Sequence, residues 1–103
     1  TKEHGPTSNP DFKILLDADL SILGSSAKDY GEYVLKIQEE YSQAGVSLVA
    51  FLRGREAFLQ NMLKQPFIYQ DPLFRERYQS FAEINMKTEL SLILDAQNQE
   101  AKP

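Results

Sequence analysis

Cysteine is absent from this 103-residue chain. That absence excludes disulfide staples and thiolate metal sites, and it fits a reducing compartment, so the expected location is cytoplasmic. Long apolar runs are missing too. Segments such as SLVAFL fall far short of the roughly 20 residues that cross a bilayer, so no membrane span is expected. The net charge is only -4, and the basic residues are scattered singly with no arginine- or lysine-rich stripe, which argues against a nucleic-acid partner. There is no Met at position 1, and the opening run TKEHGPTSNP lacks the basic and apolar start of a signal peptide. The expectation is a piece of a longer protein. Nucleophile elbow, Gly-rich phosphate loop, HExxH, EF-hand loop and paired Cys and His sets are all lacking, so no autonomous active site is visible.

What the sequence does contain is helical punctuation. Alternating strand patterns do not occur, and the expected class is all-α, with one domain holding a modest core. A first helix is predicted from Asn9, as N-cap before Pro10 and Asp11, to Leu23, with Gly24 as its stop. A second runs from Ser26, with Asp29 as a capping-box-like partner, to about Ala44 before Gly45. It presents Tyr30, Tyr33, Val34, Ile37, Tyr41 and Ala44 as a stripe. A third spans about Ser47 to Gln65, and its internal Gly54 suggests close packing. The fourth starts at Asp71 and Pro72 and extends to about Asp95. Residues 1–8 read as a loop that follows an upstream part, 9–95 as the helical domain and 96–103 as a polar tail, giving a four-helix partial bundle with short connections.

Polar residues interrupt the apolar stripes at three places. At about 100° per residue, Phe12, Leu15, Leu16, Leu20 and Leu23 gather on one side of the first helix with Asp19 in their midst, while Asp17 falls on or near the polar side. A carboxylate facing a core needs protonation, a cation or a metal to offset its lost hydration. In the third helix Arg55 sits at the centre of Leu48, Phe51, Leu52, Leu59, Met62 and Leu63. In the fourth, Asn85 sits among Phe74, Tyr78, Phe81 and Leu92. Two readings follow from the pattern. Arg55 pairs with Asp19 or Glu89 while Asn85 satisfies backbone groups, or these side chains face a metal or phosphate site in which the Arg55 fork grips an anion. His4 is the only histidine, so any imidazole chemistry confined to this chain would have to use it.

The order TKEH, LLDADLSILG, EY at 40–41, GR at 54–55, IY at 68–69, FRERY and Asn85 resembles the C-terminal half of the predicted HD-superfamily metal-dependent phosphohydrolases, over roughly residues 1–94. The resemblance implies a helical bundle in which a histidine, a His-Asp doublet and a later aspartate hold divalent metal. The later aspartate carries over onto Asp19, following Ala18. Asp17 could orient a ligand or a metal-bound water. His4 in TKxH and Arg55 in GR carry over as possible phosphate-binding or ligand-orienting groups. The first histidine and the His-Asp doublet are not in this chain. The implied partners are therefore the missing N-terminal part of the same protein and a small phosphorylated substrate such as a nucleotide. Self-association with a second copy, covering surface left bare by the missing half, is a separate expectation tied to the competing interaction reading. The competing expectation is a non-catalytic helical interaction module.

Overall fold

The computed structural model describes residues 16–101, and every regular element among them is helical. Helix α1 covers 16–20 and tightens into a 3-10 turn over Ser21–Gly24. The expected start of this helix at Asn9, together with Phe12 and Leu15, lies outside the described residues. Helix α2, Ala27–Gln43, begins where Ser26 Oγ accepts from the Asp29 amide at 3.2 Å, and it ends in a turn at Gly45, whose φ of 89° favours glycine. Helix α3, Leu48–Lys64, is capped by Ser47, whose Oγ accepts from the Ala50 amide at 3.1 Å, and it stops before Pro66.

Helix α4 starts at Pro72–Phe74 with Asp71 as cap, widens into a π-helical turn over Arg75–Gln79, and continues over Ser80–Ala101. It therefore runs on through residues read from the sequence as a polar tail. The π turn also corrects the expected stripe. In an unbroken α-helix, steps of four residues drift by about 40° each. The wider turn takes in an extra residue, which keeps Phe74, Tyr78 and Ala82 on the core side. Beyond it Ala82, Met86 and Ile93 are buried, whereas Phe81 and Leu92 point to solvent.

The core gathers Leu20 and Leu23 of α1, Tyr30 of α2, Leu59 and Met62 of α3, Ile68 and Tyr69 of the α3–α4 connection, and the buried face of α4. Helix α4 is the spine, since both α3 and the end of α1 lie against it. Gly24 and Gly45 end their helices as expected, but the packing at Gly24 and Gly54 differs from expectation. Gly24 is buried, and a Cβ there would lie 2.6 Å from Tyr78 Cβ and 2.8 Å from Tyr78 O, so the end of α1 approaches α4 as only glycine allows. A Cβ at Gly54 would meet nothing within 4 Å. The close packing expected at Gly54 is absent.

Candidate functional site

The DAD sequence of α1 places its two carboxylates on opposite sides of the helix, about 200° apart. Their assignment is the reverse of the sequence expectation. Asp17 is fully buried, and Asp19 is exposed. The stripe drawn from the sequence included Phe12 and Leu15, which pull its centre toward Asp19. Among the described residues the buried arc is Leu16, Asp17, Leu20, Leu23 and Gly24, centred near Leu20. Asp17 lies about 60° from Leu20 on the wheel and Asp19 about 100° from it.

Burial of Asp17 is compensated by peptide groups. Its Oδ1 accepts from the Gln70 amide at 2.8 Å and its Oδ2 from the Asp71 amide at 2.7 Å. Two peptide N–H groups thus donate to the two oxygens of one carboxyl group, one to each. The 68–71 segment is gripped elsewhere as well. Arg75 donates through Nε to Tyr69 O at 2.7 Å and through Nη2 to Gln70 O at 2.8 Å, while stacking over Phe67 at 3.7 Å. Gln79 Oε1 accepts from the Ile68 amide at 3.0 Å. The Tyr69 hydroxyl donates to Leu20 O at 2.9 Å, and burial, with the Asp17 charge adding to it, raises its pKa against the opposing effect of a backbone hydrogen bond at Gly24. None of these partners was foreseen. The only trace in the sequence is the run IYQDP followed by FRERYQ, whose spacing does not reveal what it binds.

Arg55 is buried, as its place in the α3 stripe implied, and of its two expected partners the structure gives it Glu89. The contact is bidentate, with Nε to Oε2 at 2.8 Å and Nη2 to Oε1 at 2.7 Å. The Tyr30 hydroxyl donates to the same Oε1. Burial by itself would lower the Arg55 pKa, but the hydrogen bonds and charge of Glu89 outweigh it and raise it. Burial first, and then Glu89, raises the Tyr30 pKa well above its ordinary range. The guanidinium also lies 4.9 Å from the Phe58 ring centre and 5.6 Å from that of Tyr33. Thus the fork that was a candidate for phosphate is closed on a carboxylate within the fold.

Asn85 follows the backbone-satisfying reading. Its Nδ2 donates to Leu23 O at 3.0 Å and to Ser25 O at 2.8 Å, serving two carbonyls at the end of α1. His4 lies outside the described residues.

The candidate residues therefore do not converge. Arg55 is engaged with α2 and α4, Asp17 with the 70–71 turn, and Asp19 makes no hydrogen bond or ion pair among the described residues. Of the candidates the structure describes, Asp19 is the carboxylate left exposed and without a protein partner among the described residues. Among the described residues there is no group of three or more His, Cys, Asp or Glu side chains that would hold a metal by themselves. No helix among the described residues is long and apolar enough to cross a membrane. Comparison with known proteins finds no matching family model, no matching curated protein and no matching solved structure.

Proposed function

We propose that the chain is the C-terminal part of an HD-type metal-dependent phosphohydrolase acting on a nucleotide or another small phosphate ester, and that it supplies Asp19 as one ligand of a divalent cation. The observation that carries this reading is the exposed carboxylate of Asp19, which has no partner among the described residues, within DADLSILG, the motif on which the family resemblance rests. The other ligands, a histidine and a His-Asp doublet, would come from an upstream part of the same polypeptide. A bound cation supplies polarisation of a phosphoryl oxygen and a lowered pKa for an attacking water. In this reading Asp19 offers oxygen donors from a helix anchored through Asp17 and Leu20 and again at Leu23, while Asp17 and Arg55 act within the fold and not on the substrate. His4 stays a candidate for the phosphate.

The test is a Mn²⁺ titration of the polypeptide carrying the upstream ligands, with and without Asp19→Ala. Loss of at least tenfold in affinity is expected, and undiminished binding would remove the assignment. The chain by itself should not hydrolyse phosphate esters.

A second reading, a non-catalytic interaction module, is favoured by the full use of Arg55 and Asn85 inside the fold and by the exposed apolar side chains Leu73, Phe81, Ile84 and Leu92. It predicts that Asp19→Ala leaves hydrolysis by the intact protein unchanged.

A further inference from the structure

We infer that Asp17 is a positioning residue for Asp19: its buried carboxylate pins α1 to the 70–71 turn and so fixes the direction in which Asp19 is presented. The inference rests on the phosphohydrolase reading for what Asp19 does, but the pinning itself stands on geometry alone.

Asp19 lies between two anchors. On one side Asp17 takes the Gln70 and Asp71 amides at 2.8 and 2.7 Å. On the other, Leu20 O receives the Tyr69 hydroxyl at 2.9 Å, from a ring with no solvent exposure. The element being gripped is itself held, since Arg75 binds the carbonyls of Tyr69 and Gln70 and Gln79 binds the Ile68 amide. Further along, Asn85 ties the carbonyls of Leu23 and Ser25 to α4. Residues 17 and 20 are thus locked to the α3–α4 connection, and 23 and 25 to α4. The peptide carrying Asp19 has little freedom to rotate about the axis of α1.

A ligand held in this way loses little conformational entropy on binding, and groups that orient a metal ligand typically contribute 10- to 100-fold in affinity. Asp17 does this at one remove. It touches neither metal nor substrate, and it acts through the backbone of its own helix. An asparagine cannot replace it. One carboxylate oxygen would become an amide nitrogen facing a peptide N–H, so donor would meet donor.

Two measurements on the intact protein separate the parts of the inference. The first is amide hydrogen exchange in the absence of metal. Asp17→Asn should speed exchange at Gln70 and Asp71 by at least tenfold over wild type, and unchanged exchange there would overturn the clamp. The second is Mn²⁺ affinity by titration, for wild type, Asp17→Asn, Asp19→Asn and Leu59→Ala. Leu59→Ala serves as a core variant that is destabilised without removing any hydrogen bond of the clamp. Asp19→Asn should lose most of the affinity, Asp17→Asn should lose 10- to 100-fold, and Leu59→Ala should bind as wild type does at temperatures where all remain folded. Wild-type affinity in Asp17→Asn beside a loss in Asp19→Asn would overturn positioning while sparing the metal reading. Undiminished binding in Asp19→Asn, or none in wild type, would overturn the metal reading and the positioning role together, whatever the exchange data give for the clamp.

Discussion

Arg55 and Glu89 have side chains only 9% and 10% exposed, and each is the other's principal compensation for lost hydration. Removing one partner of such a pair strands the other charge, whereas removing both for apolar groups of similar volume is often neutral. Arg55→Met should therefore lower unfolding stability by about 3–5 kcal/mol, leaving Glu89 and the Tyr30 hydroxyl without their cation. Arg55→Met combined with Glu89→Leu should recover much of that loss. Denaturant unfolding of the four corners of this cycle checks it, and an additive double mutant would show the pair to be uncoupled. At this scale the sequence was half legible. The central position of Arg55 could be read from periodicity, with Glu89 as one of two partners left open, and so could the backbone-satisfying role of Asn85, though not the stripe drawn around it. The inward Asp17 could not, because its partners are peptide amides of a loop more than 50 residues away, and backbone groups leave no residue-type signature.

Glycine separates the elements that were legible from those that were not. Gly24→Ala would press a methyl group against Tyr78 Cβ and O at 2.6 and 2.8 Å, so α1 must move off α4 or the variant must unfold. A loss of about 2 kcal/mol or more is expected. Gly54→Ala does the opposite. The site is exposed within α3, nothing lies within 4 Å, and replacing a helix-interior glycine should add about 1 kcal/mol. Thermal unfolding of the two variants should show shifts of opposite sign. The sequence marked both glycines but could not tell a stop from a close approach, since that depends on which helix lies opposite. Helix starts were a different matter: Ser26, Ser47 and Asp71 cap where their local pattern predicts, because a cap needs only its next few residues. The π turn at Arg75–Gln79 has no comparable local signal. The grip of Arg75 and Gln79 on the 68–71 segment coincides with it, and its shift of register is what misled the α4 stripe.

At the scale of the molecule, the described residues form an elongated body, 50 × 27 × 23 Å with a Cα radius of gyration of 14.8 Å, against about 13 Å for a compact chain of about 100 residues. Helix α4 accounts for the long axis, because its 30 or so residues at 1.5 Å each span about 45 Å. One side of that helix is not used by the fold. Phe81, Ile84 and Leu92 are 58%, 61% and 64% exposed, and their spacing puts them along one line of the surface. Both functional readings need such a line, one to seat the upstream part of an enzyme and the other to seat a separate partner. Neither needs it for the stability of the chain itself. Ile84→Glu with Leu92→Glu should therefore leave the unfolding free energy within about 0.5 kcal/mol of wild type, as expected for surface changes. The same pair should reduce binding of an apolar dye and any concentration-dependent increase in sedimentation, since exposed apolar side chains grouped on one helix face favour association. A large loss of stability in the double variant would place these side chains in the core and remove the line from both readings, whereas unchanged dye binding and sedimentation would show that the line is not adhesive.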